Sequence, residues 1–113
     1  MLKTRLTEKY GLRYPIIGAP MANHSGANLA AAVTKAGGLG SFGGISANGP
    51  DWVCDQIRAV RSEMDGPFSI GFITAFIPAS EASFDVALEE KAPLIILSFG
   101  DPRPYAAKAR AAG

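Results

Sequence analysis

Short apolar runs alternate with longer stretches of helical periodicity along the chain. The first run, Pro15 to Ala22 ("PIIGAPMA"), is nearly continuous and flanked by turn formers, the pattern of a strand buried on both faces. A helix then spans Gly26 to Ala36, with Leu29, Val33 and Ala36 on one face, Asn23 or Ser25 as N-cap and Gly37 at a left-handed C-cap. A second run at 39–44 leads to Asn48-Gly49-Pro50, and Pro50 opens a helix carrying Val53, Ile57, Val60 and Met64 on one face. "FSIGFITA" at 68–75 reads as the third strand, followed by Pro78, a Ser80 cap and a helix at 81–92. "PLIILSFG" at 93–100 reads as the fourth, ending at Asp101-Pro102 before "RPYAAKARAAG". The unit is strand then helix, four times. Consecutive parallel strands need crossover connections, so this order predicts an α/β fold, a parallel sheet flanked by helices.

Within this frame Gly38, Gly40 and Gly43 spell G-x-G-x-x-G. A dinucleotide fingerprint requires a strand before its first glycine and a helix opening at its last, and here the order is reversed. The glycines are expected to end a helix tightly and let a strand approach its neighbours closely.

Composition changes the picture only by exclusion. The 113 residues carry 11 Lys+Arg against 10 Asp+Glu, a formal charge of +1, which gives no electrostatic reason to expect nucleic acid or an anionic membrane surface as partner. Cys54 and His24 are each the only residue of their kind, so no intrachain disulfide or Cys/His metal set is expected. No segment has 18 consecutive apolar residues and the N-terminus lacks a signal-peptide pattern, so a cytoplasmic protein is expected.

"LTEKYGLRYPIIGAPMA", "LAAAVTKAGGLGSFGG", "PFSIGFIT" and "LIILSFGDPRPYAAKARAAG" together resemble the first part of the nitronate monooxygenase (2-nitropropane dioxygenase) family. Flavin-dependent enoyl-reductases and the inosine-monophosphate-dehydrogenase-like barrels are similar, and "SFGDP" favours the nitronate branch. The resemblance implies the first four βα units of a TIM-type (β/α)8 barrel, residues 1–113 forming a single partial domain, its N-terminal half. It also implies FMN across the carboxyl-end mouth and oxidation of alkyl nitronates with O2. Ala19, Pro20, Met21 and Ala22 match the segment lying along the flavin ring, where backbone amides would meet the N5/O4 edge and Met21 would supply an apolar wall. Gly71 stands where many members carry an FMN-contacting asparagine, and Gly18 where many carry glutamine. By resemblance the catalytic histidine and the phosphate-binding loops fall beyond Gly113, since such a barrel takes about 250 residues; no catalytic residue is expected in this chain.

Two alternatives stand beside this reading. As a non-catalytic half-barrel acting only through assembly, the chain would expose the edges of its first and fourth strands, inviting self-association or docking of a missing C-terminal half. An open flavodoxin-type sheet would use Ser25-Gly26 to cradle a phosphate. Among single residues, His24 is expected to face solvent, Cys54 to be a partly buried small hydrophobe, and Asp101 to cap a helix rather than act as an acid. Trp52 and the phenylalanines at 68, 72, 76 and 84 are expected between sheet and helices, Phe76 reaching furthest toward the mouth.

Overall fold

A computed structural model describes residues 2–113. Thr4 opens the first helix, α1 (Arg5–Tyr10), with a reciprocal cap: the Thr7 amide donates to Thr4 Oγ1 at 3.1 Å and the Thr4 amide to Thr7 Oγ1 at 2.8 Å. Next come α2 (Ala27–Lys35), β1 (Gly40–Gly43), α3 (Gly49–Glu63), β2 (Phe68–Ile73), a 3₁₀ helix (Thr74–Ala79), α4 (Glu81–Glu89), β3 (Leu94–Ser98) and α5 (Arg103–Ala112). The strands pair in parallel in the order β1-β2-β3, with Gly40 beside Phe68 and Ser69 beside Leu94.

The first apolar run departs from expectation. It contributes a single parallel bridge, Ile17 with Leu39, made by the Gly18 amide to Leu39 O and the Leu39 amide to Ile16 O, both at 2.8 Å. Pro15 and Pro20 have no N–H to offer a ladder, and the Ile16 amide is spent on Tyr14 O. Nor is the run buried on both faces, for Ile16 is 59% and Ile17 44% exposed. The first stave is thus a bridge beside β1, and the strand order first run, β1, β2, β3 follows the chain. Sequential parallel staves belong to a barrel, whereas a flavodoxin-type sheet reverses direction after its first strand. The chain is the opening part of a TIM-type barrel, and the flavodoxin alternative falls.

The core lies on the helix side of this sheet. Phe42, Phe68, Ile70 and Phe72 alternate toward Val53, Ile57 and Val60 of α3 and Phe84 of α4. Phe72 and Phe84 meet edge to face at 5.2 Å between ring centres, and Phe42 meets Trp52 likewise at 6.1 Å. Alternation gives the opposite face to small residues, Ser41 and Gly43 on β1 and Ser69 and Gly71 on β2, with the Ser41 and Ser69 hydroxyls hydrogen-bonded to each other.

The face of α2 differs from its apolar pattern: Ala27, Ala30 and Ala31 are buried, while Leu29 and Ala36 are exposed. A Cβ on Gly40 would run into the Ala30 carbonyl, so helix and strand are in backbone contact there. The glycine string is therefore a packing device, as its context predicts. No helix among the described residues is long and apolar enough to cross a membrane.

Candidate functional site

Ala19 to Ala22 leaves the bridge and folds over the carboxyl ends of β1 and β2. A Cβ on Gly43 would lie 2.7 Å from the Ala22 nitrogen, and one on Gly71 would overlap the Pro20 ring. The close approach that Gly71 permits is thus that of Pro20, and Gly71 enters the site by seating this proline. Pro20, Ala22 and Gly71 line one small recess with Ile45, Phe72, Ile73 and Ser98. Its volume, about 30 Å³, is that of roughly one water, so it forms a dimple in a floor rather than a pocket.

Ser25 fixes this floor. Its buried hydroxyl accepts the amides of Met21 at 2.8 Å and Gly43 at 3.2 Å and donates to Met21 O at 2.8 Å. The Ser25 amide adds a bond to Met21 O at 2.9 Å. The Met21 amide is consumed inside the chain and cannot serve a ligand. Pro20 has none, which leaves Ala19 and Ala22, whose N–H groups have no acceptor among the described residues. The Met21 side chain is partly exposed, as a wall would be. The sequence carries no signal for the part played by Ser25, because its partners lie four residues back and on another strand.

The expectation that Asn23 or Ser25 caps α2 and that Ser25-Gly26 could cradle a phosphate is overturned. Gly26 is the N-cap without a side-chain bond, and the first amide of α2, at Ala27, donates to Gln56 Oε1 at 2.7 Å. With Ser25 turned inward and Gln56 occupying the helix start, an anion finds neither donor free.

The remaining candidates take ordinary places. His24 is an exposed loop residue. Asp101 Oδ1 accepts the Arg103 amide at 3.0 Å, and its carboxylate pairs with the Arg103 guanidinium at 2.8 Å, which holds its pKa below the usual carboxylate value; the N-cap of α5 is Pro102, without a side-chain cap bond, so Asp101 stands one residue before the cap position expected of it. Burial, and then the Glu90 carboxylate 3.5 Å from its sulfur, push the Cys54 thiol above its ordinary pKa despite Arg58 nearby, so it is not an activated nucleophile. Trp52, Phe68, Phe72 and Phe84 pack between sheet and helices, whereas Phe76, on the 3₁₀ helix, is 56% exposed. One buried side-chain oxygen, Thr74 Oγ1, has no hydrogen-bond partner, and it follows directly on the end of β2.

A larger concavity, about 670 Å³, lies away from this end, between β3, α4 and α5, lined by Leu88, Pro93, Leu94 and Ala109 with Lys9 and Arg110 at its rim. It follows the uncovered side of β3. Barrels of this type place ligands at the carboxyl ends of the strands, where the Ala19–Ala22 floor lies.

Comparison with known proteins agrees with the fold. The chain is 47% identical over 68 residues to a nitronate monooxygenase of Paraburkholderia phytofirmans and 44% identical over 66 residues to one of Pseudomonas aeruginosa, matches that take in 60% and 58% of this chain and 18% of each relative. Among solved structures, FabK from Thermotoga maritima superposes with a TM-score of 0.90 at 33% identity, covering 100% of this chain and 36% of that one. A nitroalkane oxidase from Streptomyces ansochromogenes superposes with a TM-score of 0.77 at 26% identity, covering 97% and 40%. The chain thus spans about a fifth of the curated relatives' length and a little over a third of these folds. The sequence profile described as nitronate monooxygenase matches residues 3–93, and the chain belongs to that family.

Proposed function

We propose that residues 1–113 are a single partial domain, the N-terminal half of an FMN-dependent barrel that oxidises alkyl nitronates with O2 in the cytoplasm. The observation that carries this reading is the pair of unpaired amides, Ala19 and Ala22, on a turn clamped by Ser25 at the carboxyl ends of the strands. Donors without acceptors on a rigid turn suit the polar edge of a flat heterocycle, and the shallow dimple beneath suits a ring lying across it. Ala19, Pro20, Met21 and Ala22 then hold the ring side of the cofactor: Met21 offers an apolar wall, and Gly71 acts from beneath by seating Pro20. The chemistry that FMN would supply there is electron transfer between the nitronate and O2. The chain's own part is to orient that ring and shield one face from water; no residue here is assigned as acid or base.

The test is reconstitution with FMN followed by oxygen uptake on nitronates, with enoyl-thioester-dependent NAD(P)H oxidation as the contrasting assay. Stoichiometric flavin with nitronate-dependent uptake supports the reading, and Ser25→Ala should weaken flavin affinity by releasing the turn. Failure to bind flavin overturns it, and reduction of an enoyl thioester instead would move the protein to the enoyl-reductase branch. The exposed Ile16 and Ile17 favour a second reading, self-association or docking of a separate C-terminal half, for which light scattering would give a mass above that of one chain.

A further inference from the structure

Phe99 leaves the end of β3 with φ 53°, in the left-handed region that a bulky L-residue adopts only at a cost. Its ring recovers nothing by packing, being 80% exposed. The backbone is pinned on both sides of it. Phe99 O accepts the Ala75 amide at 3.1 Å, and Gly100, at φ 150°, is so close to its neighbours that a Cβ there would lie 3.1 Å from Thr74 Cβ and from the Ala75 nitrogen. The chain is thus held in an unfavourable conformation that turns a large aromatic outward.

The place is the mouth. Ile73 and Ser98 are in register at the ends of β2 and β3 and precede Thr74 and Phe99, and both line the recess that Pro20 and Ala22 floor. The Ala75 to Phe99 bond sets the backbone of half-exposed Phe76 beside Phe99. The recess floored by Ala22 therefore lies at the same end of the sheet as the exposed rings of Phe76 and Phe99. An alkyl nitronate has the matching division, an anionic head and a hydrocarbon tail.

Resting on the flavin-nitronate reading above, we infer that Phe99, with Phe76 beside it, is the wall that receives the substrate's alkyl chain and sets its length preference. The FMN-loaded protein should show kcat/KM rising from ethyl to hexyl nitronate by up to about fourfold per methylene that the ring covers. Phe99→Ala should flatten that slope, with the largest loss at hexyl and the smallest at ethyl nitronate and no fall in Tm, and Phe99→Leu should restore part of it. An equal loss at every chain length with a lowered Tm would make Phe99 a structural residue, and an unaltered slope would overturn the inference outright. If the wild type oxidises no nitronate, the functional reading fails by itself. Calorimetric binding of butanoate to octanoate, which share the planar anionic head and alkyl tail, then decides the wall: a chain-length dependence lost in Phe99→Ala supports it, and its absence in the wild type refutes it.

Discussion

The middle of the sheet and its flanks are built from opposite materials. β1 is "GSFG", with one large apolar side chain, yet all four residues are buried, and in β2 only Ile73 is less than buried. β3 is "LIILS", far more hydrophobic, and none of its five residues is buried; the first run leaves two isoleucines largely in solvent. Burial of a stave follows from its neighbours, and its own hydrophobicity is a weaker guide. β1 and β2 each have a partner on both sides and a helix layer beneath, whereas the flanks have a partner on one side only. In a closed barrel every strand has two neighbours, so the flanks carry the apolar surface that further staves would cover.

Truncation at the two places gives the largest contrast. Phe42→Ala removes a fully buried ring in contact with Trp52 and Phe68 and should cost about 3–5 kcal/mol in chemical denaturation. Ile17→Ala, at 44% exposure, should cost less than about 1 kcal/mol. Equal losses would break the distinction. Gly71→Ala sharpens it at the mouth: the added methyl overlaps Pro20, so a loss of about 1–3 kcal/mol is expected. Pro20→Gly in the same chain should return part of that loss, and plain additivity of the two would show that they do not touch. Ser25→Ala strands the Met21 and Gly43 amides and should cost about 1–3 kcal/mol, read from Tm and from faster exchange of the Gly43 amide.

How much of this is legible in sequence divides along the same line. The periodicity of α3 places Val53, Ile57 and Val60 correctly in the core, and the order of strands and helices gives the parallel sheet. The first run misleads, because "PIIGAPMA" has the composition of an interior strand while its two prolines permit only a bridge. The buried face of α2 misleads as well: Gly40 brings the Ala30 backbone against β1, so Ala27, Ala30 and Ala31 form the buried face and Leu29 on the expected stripe turns to water. α1 has a local signal, the Thr4 and Thr7 pair ahead of Gly11. At the candidate site, the family resemblance implies Ala19 to Ala22, and which of their amides stay free depends on Ser25, a tertiary contact without a spacing rule. Phe99 is invisible to pattern altogether, since a left-handed phenylalanine reads as one more apolar residue at the end of a strand.

The smallest expected effect separates centre from flank by pH. β1 and β2 contain no titratable side chain, so their stability should not respond to proton binding within the strands. α5, on the outer flank, is held by exposed ion pairs at both ends of the scale. Arg103 lowers the Asp101 pKa in the folded chain, so this pair contributes above the unfolded carboxylate's value and is lost as pH falls through the depressed one. Lys108 behaves in reverse: Asp85, 2.6 Å away, raises its pKa, so its contribution is complete below the unfolded lysine value and disappears as pH rises through the raised one. Backbone amide exchange followed across pH should therefore show the start of α5 loosening in acid and its packing on α4 loosening in alkali, with β1 and β2 unmoved between. Asp101→Asn should abolish the acid response and leave the alkaline one, and added salt should shrink both because the pairs are solvent-exposed. An acid response that persists in Asp101→Asn would place its origin in another carboxylate and remove the ion-pair role assigned to this one.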